Sequence, residues 1–202
     1  MFNVGIDFDN TLVNYDKSFY DLAIEKKLVP VSLPKSKNAV RNFLKENGKE
    51  KEFTIMQGEI YGPRILQAQP SQGSIKAIQA MHKLGFNVFI VSHKTRFPYE
   101  GPKFDLHDSA RKWLNHFSFS SSIGANINQK NIFFNESKEE KIEKLHNLKC
   151  DFFIDDLPEI LDLINNTVRK ILYSRNYEKF KSKYDFVSND WQLIEKYLYG
   201  FL

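Results

Sequence analysis

The chain has 202 residues, 42% hydrophobic and 27% charged, the make-up of a folded protein large enough for one sizeable core. Its 29 basic residues exceed its 25 acidic ones by four, and the excess is spread along the chain. That suits an anionic small molecule and lacks the concentrated basic stripe that nucleic acid requires. A single cysteine, Cys150, excludes a disulfide framework and reads as a buried structural thiol before an apolar strand. No run approaches a membrane span, and the start of the chain lacks a basic segment followed by an apolar one. The expectation is a cytoplasmic protein, monomer or homodimer, with neither nucleic acid nor membrane as a partner. The 18 phenylalanines read as core filler.

The first strand is the apolar run Val4-Gly5-Ile6, and it runs out into Asp7-Phe8-Asp9-Asn10-Thr11-Leu12. Side chains two apart on an extended chain point the same way, so Asp7 and Asp9 can converge while Phe8 turns into packing. Two carboxylates so close repel unless a cation or shared proton lies between them. Hard oxygen donors favour Mg²⁺.

Residues 17–84 read as helix and loop. Phe19, Leu22, Ala23 and Leu28 mark a helix over 18–27, and the prolines at 30 and 34 break the chain. Ser36 is placed to cap a helix carrying Val40, Phe43 and Leu44, with Gly48 as its stop. A further helix over 50–60 is interrupted by Gly62-Pro63, and another spans 73–84. Residues 86–92 then form a buried strand, too short for a helix. A loop from His93 to Pro102 leads to a helix over 105–117, irregular chain over 118–130, a strand over 131–134 and a helix over 137–148. The strand over 150–156 ends in Asp155-Asp156. A helix over 157–166, strands over 168–173 and 184–187, and a helix over 190–198 complete the chain. Strands alternating with helices specify an α/β fold with a parallel central sheet.

Asp7-Phe8-Asp9-Asn10-Thr11-Leu12 resembles the first motif of the haloacid dehalogenase-like phosphatases. The other three motifs of that family follow in order: Ser92 at the end of a strand, a lysine at the start of the 137–148 helix, and Asp155-Asp156. The resemblance covers residues 5 to about 160. It implies a Rossmann-like three-layer core over 1–16 and 85–202, with a small helical cap over 17–84. It further implies Mg²⁺-dependent hydrolysis of a phosphate monoester through an aspartyl-phosphate. In that scheme Asp7 is the nucleophile and Asp9 the general acid and base. Thr11 orients Asp9 and the loop, and Ser92 donates to a phosphoryl oxygen. The metal ligands are Asp7, Asp9 through its backbone carbonyl, Asp155, and Asp156, the last through water or by holding the lysine. Lys138, nearest the helix start, is favoured over Lys141 as the motif lysine.

Substrate choice is expected from the insert and the loop after Ser92. His93, Lys94 and Arg96 stand beside the site in sequence, and Tyr61 and Arg64 lie in a polar, aromatic cluster around Gly58 and Gly62. Those two glycines suggest a shaped loop. The run Ile90-Val91-Ser92-His93-Lys94-Thr95 is similar to small phosphatases encoded among bacterial surface-polysaccharide genes. That implies a phosphorylated sugar, polyol or sugar conjugate as the small-molecule partner. The rival readings are a phosphotransferase or phosphonate hydrolase on the same fold, and a non-catalytic subunit that binds a phosphorylated ligand.

Overall fold

A computed structural model describes residues 1–202. The chain runs β1 (Asn3–Ile6), β2 (Val13–Asn14), α1 (Asp16–Glu25), α2 (Lys37–Glu46), α3 (Glu50–Tyr61), β3 (Gln69–Pro70), α4 (Ser74–Lys83) and β4 (Asn87–His93). It continues with α5 (Leu106–His116), β5 (Ile132–Asn135), α6 (Lys138–Asn147), β6 (Phe152–Asp155) and α7 (Pro158–Leu161). β7 (Arg169–Leu172), α8 (Tyr177–Phe180), β8 (Phe186–Val187) and α9 (Trp191–Tyr199) complete it. Two compact units result. The first holds Met1–Leu12, Pro70–Lys94 and Phe117–Leu202, and the second holds Val13–Gln69 with Thr95–His116.

The first unit is built on a six-stranded sheet in the order β5-β4-β1-β6-β7-β8, parallel throughout. From β1 the chain crosses to β4 and β5 on one side, then returns to β6, β7 and β8 on the other. The strand order therefore reverses around β1, and the crevice beyond its carboxyl end is where open α/β sheets bind ligands. The central strands are buried on both faces, with Val4, Ile6, Val88, Ile90, Phe152, Phe153 and Ile154 at 3% exposure or less, as a sheet covered by helices on both sides requires.

Gly5 is the position that lets a helix come close. A methyl group there would stand 2.8 Å from Leu145 Cδ2, 2.9 Å from Phe153 Cδ2 and 3.3 Å from Cys150 Sγ. α6 therefore lies tight against β1 with Leu145 over the glycine. Its N-terminus is fixed by Ser137, whose hydroxyl accepts from the Glu140 N–H at 3.1 Å. Cys150 is buried in the same cluster, which pushes its thiol up to about 12 and leaves it inert as a nucleophile.

α4 was placed by position in the expected insert over 17–84. It belongs instead to the first unit, where it packs against β4 and α9. Its inward face of Ala77, Ile78 and Met81 is buried, and it serves as the crossover helix of a βαβ unit. The helix expected over 157–166 stops at Leu161, because the chain turns at Asn165, whose side chain accepts from the Thr167 N–H at 3.0 Å. The short elements β2, β3 and α8 carry too few residues for a periodic signal.

The second unit is helical. α1, α2 and α3 bury Phe19, Leu22, Ala23, Val40, Leu44, Phe53, Met56 and Ile60. Phe19 stacks on Phe53 with ring centres 5.1 Å apart. Ser36 caps α2 as expected, accepting from the Ala39 N–H at 3.1 Å. Gly58 lies inside α3 rather than in a shaped loop. A methyl group there would come within 2.8 Å of Pro98, and one at Gly62 within 2.8 Å of Phe104. The two glycines let residues 98–104 lie on the helix, which is why the chain after Lys94 joins this unit. α5 is tied to it by Trp113 Nε1, which donates to the Ala68 carbonyl at 2.8 Å. No helix of the chain is long and apolar enough to cross a membrane.

Replacing Gly5 by valine forces α6 off β1. The expected loss is about 1–3 kcal/mol of unfolding free energy, read from denaturant melts of wild type and Gly5→Val, and an unchanged midpoint contradicts the packing described.

Candidate active site

The β1 ladder continues one step beyond Ile6, where the Asp7 N–H donates to the Ile154 carbonyl at 2.9 Å. Since Ile6 pairs with Ile154, the next pair is Asp7 with Asp155, and their side chains leave the same face of adjacent strands. Both are nearly or fully buried, at 4% and 0% exposure. Two carboxylates in that setting demand a cation, and α6 supplies one. Lys141 Nζ donates to Asp7 Oδ1 and to Asp155 Oδ2, each at 2.6 Å, with the lysine 1% exposed.

The lysine reaches this point because α6 runs antiparallel to β1. Leu145 covers Gly5, and one helical turn back Lys141 meets Asp7, two residues on along the strand. Asp155 is held further by the Leu157 N–H, which donates to its Oδ1 at 2.8 Å. Lys138, favoured from sequence, does not enter this cluster. It is 40% exposed on its side chain and donates to Glu159 at 2.7 Å. Position along the helix is the reason: Lys138 begins α6 and pairs with Glu159, whereas Lys141, one turn further in, is buried with Leu145 and reaches the two acids.

Burial pushes the Asp7 carboxyl up to about 7; Lys141 pulls it down, and Asp155 and Asp9 push it up again. Lys141 is pulled down by burial, but Asp155 and Asp7 outweigh that and hold its proton more firmly than usual. The ammonium therefore stays charged across the working range.

Carboxylate oxygens of Asp7, Asp155 and Asp156 lie within 4.8 Å of one another. Opposite ligands of a six-coordinate Mg²⁺ stand about 4.2 Å apart, so this set of hard oxygens fits a divalent cation with little movement. Asp156 is half-buried beside the two buried acids.

Asp9 faces a different partner. Lys94 Nζ donates to both of its oxygens at 2.9 Å, which leaves the metal role implied for its backbone carbonyl untouched. Lys94 is expected from sequence to grip a substrate anion; the residue is 3% exposed and its ammonium is engaged with Asp9. Thr11 was expected to orient Asp9, yet its buried hydroxyl has no hydrogen-bond partner in the protein, and Lys94 holds Asp9 in its place. Asn10 takes φ +60° in the turn between them, a left-handed conformation that asparagine tolerates.

Ser92 sits at the carboxyl end of β4, next to β1 in the sheet, fully buried, and its hydroxyl bonds to no protein group. A buried unpaired hydroxyl costs about 1–3 kcal/mol, and a phosphoryl oxygen would satisfy it. His93 follows, half-buried at the strand end. Tyr61, Arg64 and Arg96 belong to the second unit, each with a partner there. The Tyr61 hydroxyl accepts from Lys37 Nζ at 2.8 Å. Arg64 donates to both oxygens of Glu25 at 2.8 and 2.7 Å, and Arg96 Nε donates to Asp105 at 3.0 Å.

Two outcomes follow from this geometry. A raised Asp7 keeps its proton in the metal-free folded state where the unfolded chain, near 3.8, has lost it. Its contribution to stability is therefore full below about pH 4 and is lost as pH rises through about 7. A divalent cation competes with that proton, so Mg²⁺ should raise the melting temperature more at pH 8 than at pH 5.5. An equal rise at both would contradict the assignment. Lys141→Met leaves two buried acids facing each other and should cost about 3–5 kcal/mol. Lys138→Met should stay within about 0.5 kcal/mol of wild type. Chemical denaturation of the two variants reads the difference.

No protein-family model matches the chain. A curated protein of Oceanobacillus iheyensis, provisionally named a nucleotidase, is 22% identical over 205 residues, covering 94% of this chain and 99% of that protein. Among solved structures, a predicted phosphatase from Clostridium acetobutylicum superposes with a TM-score of 0.62 at 13% identity, covering 98% of both chains. A haloacid dehalogenase-superfamily hydrolase from Geobacter sulfurreducens gives 0.59 at 13% identity, covering 98% of this chain and 96% of the other. A predicted phosphoglycolate phosphatase from Haemophilus somnus gives 0.59 at 17% identity and 96% of both. With its six-stranded parallel sheet and its acids at the carboxyl end of β1, the chain has the fold of the haloacid dehalogenase-superfamily hydrolases.

Proposed function

We propose that this protein is a Mg²⁺-dependent phosphomonoesterase that works through an aspartyl-phosphate on Asp7. The observation that carries the reading is Asp7 itself. It is a buried carboxylate at the sheet's switch point, within 2.6 Å of a buried ammonium and beside two further acids. Phosphate-monoester hydrolysis needs roughly 20 kcal/mol or more of barrier reduction, and these groups divide that work.

Asp7 attacks phosphorus in line, forming an acyl-phosphate as the bond to the leaving oxygen breaks. Asp9 gives the leaving oxygen its proton. It then takes one from the water that cleaves the acyl-phosphate, so that phosphate departs and Asp7 is regenerated. Lys141 keeps Asp7 and Asp155 together and offsets charge on the transferring group. Ser92 donates its unpaired hydroxyl to a phosphoryl oxygen. Asp7, Asp155 and Asp156, with the backbone carbonyl of Asp9, would hold Mg²⁺, whose positive charge would let an anionic nucleophile meet an anionic ester.

The helical second unit is the candidate cap, and Tyr61, Arg64 and Arg96 in it, like His93 in the first unit, are candidates for substrate choice. The substrate is a phosphorylated sugar, polyol or sugar conjugate. A nucleoside monophosphate is the second reading, favoured by the nucleotidase name of the Oceanobacillus relative, which covers 94% of this chain.

Phosphate release from a panel of sugar phosphates, polyol phosphates and nucleotides, with Mg²⁺ and with EDTA, tests the reading. Metal-dependent turnover of one class is expected, and Asp7→Asn should abolish it with the fold intact, since Asp155 still pairs with Lys141. Undiminished turnover by Asp7→Asn contradicts the nucleophile assignment, and turnover indifferent to EDTA contradicts the metal.

A further inference from the structure

The two aspartates of the first motif have separate lysines. Lys141, from α6, serves Asp7; Lys94, from the residue that follows β4, serves Asp9. The second pairing is unusually well built. The Lys94 side chain is 2% exposed and that of Asp9 16%, and the ammonium reaches both carboxylate oxygens at 2.9 Å. The base of the lysine is fixed as well, since its N–H donates to the Asn135 carbonyl at 2.9 Å. Asn135 Nδ2 in turn donates to the Ser92 carbonyl at 3.0 Å. Its ammonium lies 5.3 Å from the centre of the Phe8 ring, and Phe8 meets Phe134 edge-on at 5.6 Å.

An ammonium buried this far is costly unless paired. A lysine on the surface also loses rotamer freedom each time it forms such a contact, and here folding has already removed it. The result is a carboxylate whose plane and direction are fixed by a preorganised partner. Fixing a general acid against the oxygen it protonates is a positioning role. A misplacement of about 1 Å can cost about a hundredfold in rate.

We propose that Lys94 is the positioning residue for Asp9: its buried ammonium holds that carboxylate where the leaving oxygen departs. Lys94 thereby acts on proton transfer rather than on phosphoryl binding. The inference rests on the phosphomonoesterase reading of the site. It makes a distinction that a structural role does not, because leaving groups differ in their need for a proton. Dinitrophenolate departs unaided, whereas a benzyl alkoxide does not.

The experiment is steady-state kinetics with Mg²⁺ on dinitrophenyl phosphate and benzyl phosphate, for wild type, Lys94→Met, Lys94→Arg, Asp9→Asn and the double variant K94M/D9N. Lys94→Met should lose about a hundredfold in kcat on benzyl phosphate and less than about threefold on dinitrophenyl phosphate, with KM little changed on either. Lys94→Arg should recover part of the loss. The double variant should be no slower than Asp9→Asn, since the two residues act as one unit. Equal losses on both substrates, a loss confined to KM, or a further tenfold drop in the double variant would each overturn the proposal. If Lys94→Met fails to fold because it strands Asp9, Lys94→Arg decides, since it keeps a cation beside that carboxylate: a loss at least several-fold larger on benzyl phosphate than on dinitrophenyl phosphate is expected, and equal losses overturn the proposal. Wild type inactive on both esters would refute the phosphomonoesterase reading itself, whereas an active wild type with uniform losses refutes only the role of Lys94.

Discussion

The Lys141 ammonium sits between Asp7 and Asp155 at 2.6 Å from each, and much of the first unit exists to put it there. Parallel strands stand roughly 4.8 Å apart, so side chains in register on β1 and β6 are close enough to repel and too buried for water to screen them. Removing the lysine leaves that repulsion uncompensated; removing the acids leaves a charge stranded in the core. The arrangement is costly in stability and explained by chemistry. In the proposed reaction this carboxylate, pushed up to about 7 by burial and beside a cation that keeps its proton, is the nucleophile once a second positive charge arrives.

Backbone economy makes the contact feasible. Gly5 lies two residues before Asp7, on the same sheet face, and leaves room for Leu145. The helix then approaches β1 closely enough for a lysine one turn earlier to reach the strand's end. Ser137 fixes where that helix begins. The order of strands places the whole assembly at the reversal around β1, where no crossover helix blocks the carboxyl edge. Glycine, cap, helix phase and topology thus act on one point.

Much of this was legible in the sequence because the carriers are local. A short apolar strand ending in Asp-x-Asp, a second ending in Ser92, and a third ending in two acids were each readable from residue type and run length. The alternation of elements gave the parallel sheet. What was not legible depended on tertiary packing. Lys138 and Lys141 are equivalent by composition and lie on one stripe of the helix, and only the depth at which α6 meets β1 separates them. Thr11 stands where a hydroxyl could serve Asp9, but the structure gives Asp9 to Lys94, a residue whose burial no loop pattern announces; its alternation with Ser92 along the strand was the one available sign. The helix at 74–83 looked like insert because it precedes the second sheet strand, and its membership in the sheet layer follows from the face it buries. Gly62 ends α3 as its sequence context predicts, whereas Gly58 lies inside the helix, and both make room for a neighbouring segment.

The proposed reaction requires Asp7 to become covalently phosphorylated. Wild-type protein mixed with Mg²⁺ and a turning-over phosphate ester, quenched in acid and treated with borohydride, converts any aspartyl-phosphate to homoserine. Peptide mass analysis then locates it. Homoserine at position 7, absent when substrate is omitted, is the result predicted. Phosphate release with aspartate intact at position 7, or with another residue modified, would contradict it.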